Sequence, residues 1–186
     1  DPIYPAVLPM VFAEGWEKVT SGMTLPKSLL AVGPKFGTAV GPLLASLMTG
    51  PTTLAHGDFR ADNMLFTAAN ELAVLDFQLI GTGTGAYDLA YFVTQSLAAN
   101  IASSHEADLF DRWIDGLRRY GAPAGLIDRD QLWEHYRAAA LFCLAYPIVA
   151  SRGMDLSDPR QYALVETMNT RFDRALTELN LAELIH

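Results

Sequence analysis

Two short apolar runs, Met64-Leu65-Phe66 and Leu72-Ala73-Val74-Leu75, flank the small, polar stretch Thr67-Ala68-Ala69-Asn70-Glu71. Such a pattern predicts a β-hairpin. It constrains the chain more than any other feature, because it draws together the residues on either side of it. Before it runs His56-Gly57-Asp58-Phe59-Arg60-Ala61-Asp62-Asn63; after it runs Asp76-Phe77-Gln78. Antiparallel pairing about the Ala69/Asn70 midpoint puts Leu65 opposite Val74 and Asn63 opposite Asp76. Opposed Cα atoms in such a pair lie about 4.5–5.5 Å apart. Two oxygen-bearing side chains are therefore expected at the open end of the hairpin.

That separation suits a shared divalent ion. Mg²⁺ takes one or two protein oxygens and fills its shell with phosphate and water. Asp58 precedes Asn63 by five residues, in the loop that feeds the first strand. An Asp, four residues, an Asn and a second Asp past a hairpin is the layout of a kinase catalytic loop with its metal-binding Asp. In that chemistry the protein supplies mainly position and charge, so a few oxygens at fixed separations suffice.

Three motifs follow in order: His56-Gly57-Asp58 with Asn63, then Val74-Leu75-Asp76-Phe77-Gln78, then Tyr87-Asp88-Leu89-Ala90-Tyr91-Phe92. Together they resemble the aminoglycoside phosphotransferase/choline kinase superfamily. The Asp-Phe-Gln and Asp-Leu-Ala-Tyr-Phe forms look most like its ecdysteroid-kinase-like branch and related bacterial small-molecule kinases. The motifs span residues 54–97, about a quarter of the chain.

The resemblance implies a protein-kinase-like fold of which residues 1–186 are one domain, the C-terminal helical lobe, mainly α with a small β-hairpin. It implies ATP as donor and a hydroxyl of a small molecule as acceptor. Asp58 would be the catalytic base, and Asn63 and Asp76 would bind Mg²⁺. His56 and Asp88 would support the catalytic loop. Asp88 also stands at a predicted helix start, where a carboxylate is favoured by the helix dipole. Gln78 replaces the Gly of Asp-Phe-Gly, which argues against a flipping switch. A kinase of this type also needs a glycine-rich hairpin and a strand lysine. The lysines here, Lys18, Lys27 and Lys35, fall on no predicted strand. An N-terminal nucleotide-binding lobe of roughly a hundred residues is therefore expected upstream as the missing partner, by ordinary domain sizes. The chain alone is expected to turn over little.

Two other readings use the same residues. One is a catalytically silent kinase-like binding module, against which the retention of Asp58, Asn63 and Asp76 speaks. The other is a metal-dependent hydrolase built on His56, Asp58 and Asp76. That would want further histidines, and His105, His135 and His186 lack metal-ligand spacing.

Composition narrows partners. A net charge of −8 argues against a nucleic-acid backbone as partner. The single cysteine, Cys143, excludes an internal disulfide and a cysteine-based zinc site; on an apolar helical run it reads as a core residue. The N-terminus shows no basic start or apolar stretch of a signal peptide. The longest apolar run, Ala138 to Ala150, is shorter than the ~20 residues of a membrane span. A cytoplasmic location without a membrane span is expected.

The remainder reads as helices. Val7 to Val19 carries Phe12 and Trp16 on one face, Pro26 and Pro34 interrupt, and Phe36 to Met48 forms a second stripe ended by Gly50-Pro51. Thr53-Leu54-Ala55 leads, extended, into His56. Gly81-Thr82-Gly83-Thr84-Gly85 matches no phosphate-binding motif and reads as a flexible connector. A helix is expected over Ala86 to Ala99. A second starts at a Ser103/Glu106 capping box, carries Leu109, Phe110, Trp113, Ile114, Leu117 and Tyr120, and stops at Gly121. Asp128 opens a third that runs towards Tyr146 and is kinked or ended by Pro147. Asp158-Pro159 opens the last, with Leu164, Met168, Phe172, Leu176 and Leu179 inward.

Overall fold

The computed structural model describes residues 3–49 and 51–185. Asp1, Pro2, Gly50 and His186, and with them the expected Gly50 helix stop, lie outside the described residues. The chain forms two compact units by contact, Asp1–Ser46 with Ala140–His186, and Leu47–Ala139.

The first unit is helical. Helix α1 spans Ile3–Gly22 and α2 spans Lys27–Leu47. In α1 the buried positions Leu8, Phe12, Gly15 and Val19 recur at helical spacing. Phe12 stacks on Trp16 at 6.0 Å and tilts against Phe36 of α2 at 5.0 Å. Pro34, expected to interrupt, does not: α2 runs through both Pro34 and Pro42. Both prolines are exposed. Pro34 cannot donate to the Leu30 carbonyl, but Leu30 is itself 46% exposed, so water can take that bond. Leu29, Phe36 and Val40 hold the opposite face in the core. α2 is also long and apolar enough to cross a membrane, unlike the 138–150 run that stands out in the sequence.

Helix α6, Ala145–Ser151, packs on α1: the Ile148 carbonyl leaves no room for a Cβ at Gly15. Lys18 of α1 donates to the carbonyls of Arg152 and Met154, closing the C-terminal end of α6 with a cation. Helix α7, Pro159–Glu178, starts as expected. Asp158 caps it, accepting from the amides of Arg160 (2.8 Å) and Gln161 (3.0 Å). Of the expected inward stripe Phe172, Leu176 and Leu179 are buried, while Leu164 is 49% exposed and Val165 beside it is fully buried instead.

The second unit carries two two-stranded antiparallel sheets: β1, Thr53–Ala55, with β4, Gly81–Gly83, and β2, Met64–Phe66, with β3, Leu72–Val74. The glycine-rich stretch is thus partly a strand rather than a flexible connector, its register Thr53↔Gly83 and Ala55↔Gly81. Glycine disfavours a strand, but here pairing with β1 supplies the backbone bonds.

Helices α3, Ala86–Ser96, and α4, Ala99–Arg119, with α5, Arg129–Phe142, up to Ala139, complete the unit. α4 starts four residues before the expected capping box. Ser103 lies inside the helix and donates back to the Ala99 carbonyl at 2.9 Å. Glu106 is buried and accepts from the Tyr136 hydroxyl at 2.6 Å. Tyr136, Phe110 and Trp133 cluster beside it, with centroids 4.8–5.5 Å apart. Tyr120, expected inward, is 84% exposed, because the helix ends there. Gly121 takes φ +85°, donating to Arg118, and Ala122 donates to Leu117, the bonding of a Schellman end. Asp128 Oδ1 accepts from the amides of Asp130 and Gln131, capping α5. α5 stops at Phe142, before Pro147, which sits in the first turn of α6, where its missing N–H costs little.

Candidate active site

The hairpin forms, with a register that differs from the expected one by one residue. Met64 pairs with Val74, Leu65 with Ala73 and Phe66 with Leu72. The turn explains the shift. Thr67 N donates to the Glu71 carbonyl at 2.9 Å and Asn70 takes φ 59°, so the loop is three residues long and symmetric about Ala69. The Thr67 hydroxyl oxygen accepts from the amides of Ala69 and Glu71, which stabilises this length over the alternatives. Asn63 consequently faces Leu75, not Asp76: Leu75 N donates to the Asn63 carbonyl at 2.8 Å.

The loop from His56 to Asn63 is held from three sides. Asp88, near the start of α3, receives the His56 amide on Oδ2 at 2.7 Å and the Gly57 amide on Oδ1 at 3.0 Å. The two bonds use both carboxylate oxygens and are of the charge-assisted kind. Gly57 takes φ +85°, and a side chain there would run into the Leu79 carbonyl. His56 is buried, its Nε2 2.8 Å from the Leu75 carbonyl, while Nδ1 accepts from the Asp58 amide at 3.2 Å. A carbonyl only accepts and an amide N–H only donates, so the neutral Nε2–H tautomer fits both. The ring packs beside Phe59 (5.8 Å) and Phe77 (4.7 Å). Ser96 of α3 accepts from the Ala61 amide at 2.9 Å.

These bonds fix Asp58. Its side chain is 17% exposed and lies 3.5 Å from Arg60 Nε. Oδ1 accepts from the Tyr91 hydroxyl and Oδ2 from Asn63 Nδ2, both at 3.0 Å. Asn63 Nδ2 also donates to the Asp58 main-chain carbonyl at 2.9 Å. Both targets accept only, so the amide orientation is determined: nitrogen on Asp58, Oδ1 left without a partner among the described residues. Oδ1 faces both Tyr91 and Arg60, whereas Oδ2 meets only Asn63 among the described residues and keeps a lone-pair direction free. The arrangement can therefore take a proton on Asp58 and offer a hard oxygen from Asn63.

Asp76 is different. It follows Leu75, whose amide and carbonyl are bound by Asn63 and His56, so its Cα is a single ~3.8 Å step from that clasp. It is exposed and takes φ 62°, ψ 63°, a left-handed conformation that an Asp tolerates better than most residues. Among the described residues its carboxylate has one long contact, from Gln78 Nε2 at 3.4 Å. A free carboxylate and a free amide oxygen are the donor chemistry that suits Mg²⁺, which needs few protein ligands. Among the described residues no cluster of three His, Cys, Asp or Glu side chains forms a metal cage, as a hydrolase built on His56, Asp58 and Asp76 would require.

Sequence reasoning missed two groups. Tyr91 reaches Asp58, and its signal was present: it lies three residues after Asp88, on the same face of α3. Ser96 left no such signal. Arg60 is 45% exposed and ion-pairs with Asp58 and, at 3.6 Å, with Asp62.

No curated protein matches the chain. A family model described as "Phosphotransferase enzyme family" (APH) matches residues 27–141, which include the whole 56–78 segment and α3. On a match over more than half its length, the chain belongs to the APH phosphotransferase family.

Proposed function

We propose that this chain is the C-terminal lobe of an ATP-dependent small-molecule kinase of the ecdysteroid-kinase-like kind, acting on a hydroxyl group. The observation that carries the reading is Asp58: a carboxylate fixed by Tyr91 and Asn63 in a loop whose amides end on Asp88. The acceptor hydroxyl donates to a free lone pair of Asp58. As its oxygen bonds to the γ-phosphorus, the bond from that phosphorus to the β–γ bridging oxygen breaks, ADP leaves, and the hydroxyl proton passes to Asp58. A positioned base of this kind contributes about 10²–10⁴-fold. Asn63 Oδ1 and the Asp76 carboxylate would hold Mg²⁺, which when bound neutralises charge on the phosphates. Asp88 and His56 position the loop and touch no reacting atom.

The nucleotide-binding lobe lies, in this reading, in sequence outside these residues. Leu65, Phe66, Leu72 and Phe77 are 49–69% exposed, apolar side chains on and beside the hairpin whose exposure supports a partner lobe docking there. A cytoplasmic location goes with ATP as donor. The test is a phosphoryl-transfer screen over small alcohols with ATP and Mg²⁺, on the polypeptide extended upstream. Transfer that needs the extension, needs Mg²⁺ and disappears in Asp58→Asn supports the reading. Full activity in Asp58→Asn removes the base assignment.

A further inference from the structure

The 47–139 unit contains a cavity of about 270 Å³ that Asp58, Asn63 and Asp76 do not line. It is bordered by Thr53 of β1 and by Thr84 and Gly85 just after β4, and its remaining lining is chiefly apolar, with Trp113, Leu117, Leu126, Ile127 and Leu132. Gly85 marks how closely these sides meet: a Cβ there would lie 3.2 Å from both Thr53 and Trp113. Four polar side chains, Thr53, Thr84, Gln131 and His135, border the space. None of the four side chains has a hydrogen-bond partner among the described residues. Thr84 is the telling one. The residue is only 7% exposed and it borders the cavity, so its hydroxyl is available to bond a group seated there. No Asp, Glu, Lys or Arg lines the cavity, so a charged group entering it would leave water unpaired.

We infer that this cavity is a second ligand site, for a small, neutral, ring-containing molecule with a single hydroxyl or comparable polar group. Size sets the upper bound: an apolar cavity of about 150 Å³ takes benzene, so this one takes a bicyclic ring. A mostly apolar lining with a few convergent polar groups is the usual make-up of a small-molecule pocket. The ring lies between Trp113 and the leucine wall, and its hydroxyl completes Thr84. The inference does not depend on the kinase reading, since none of the phosphoryl-transfer residues takes part.

The test is calorimetric titration of the chain with 2-naphthol. One saturable site is expected. Thr84→Val should weaken 2-naphthol at least fivefold and leave naphthalene, which has no hydroxyl, unchanged. Leu117→Trp fills the cavity and should weaken both at least tenfold; Leu126→Arg, at a position 44% exposed and so tolerant of substitution, does the same if Leu117→Trp does not fold. The anionic 2-naphthalenesulfonate should bind at least tenfold more weakly than 2-naphthol. Absence of saturable binding, or equal 2-naphthol affinity in wild type and Leu126→Arg, overturns the assignment.

Discussion

The loop at 56–63 and the segment at 76–78 stand at the two legs of one hairpin, yet only the first has its polar groups held. Asp58 has donors on both carboxylate oxygens, and the amides of His56 and Gly57 end on Asp88. Asp76 is exposed, with one 3.4 Å contact among the described residues. The difference fits the two tasks proposed for these residues. A base must meet its proton within a few tenths of an ångström, so its geometry is built in beforehand. A metal ligand can be drawn into place by the charge it binds, and an oxygen committed to an internal hydrogen bond would have to give it up first.

Substitutions on the two legs should therefore separate activity from stability. Asp58→Asn should lower phosphoryl transfer by about 10²–10⁴-fold in the extended polypeptide, measured as kcat. Asp88→Ala should cost about 3 kcal/mol of folding stability by urea denaturation, since it orphans two amides that end on a charged group. Gly57→Ala should cost about 2 kcal/mol for its left-handed backbone and the crowding at Leu79, read from the same denaturation midpoint. Tyr91→Phe should cost about 1 kcal/mol, the worth of one hydrogen bond, and lower kcat severalfold with KM little changed. Asp76→Asn should leave stability within about 0.5 kcal/mol of wild type while lowering transfer and raising the Mg²⁺ concentration it needs. An Asp76→Asn variant as destabilised as Asp88→Ala would erase the contrast between the legs.

Much of this was legible in the sequence, and the exceptions have a common cause. The hairpin, its polar flanks and the cap at Asp158 are local signals, each decided within a few residues. The register was not, because it rests on whether Asn70 takes a left-handed conformation, and the sequence allows loops of either parity. The β1–β4 pair joins segments nearly thirty residues apart, and glycines carry no strand signal to announce it. The continuity of α2 through Pro34 depends on that residue facing water, which only the packing of Phe36 and Val40 decides. Tyr91 was visible as part of a motif, but its reach to Asp58 is a contact across 33 residues of chain.

Leu75 is gripped on both sides, its amide by Asn63 and its carbonyl by the His56 ring. The segment of Asp76, proposed to hold metal, therefore hangs from the loop and not from the tip of the ribbon. Residues 68–70 close that tip using only Thr67 and Glu71. The tip is consequently a place where evolution, or an engineer, can lengthen the chain, graft an epitope or attach a fluorophore while the chemistry below goes on undisturbed.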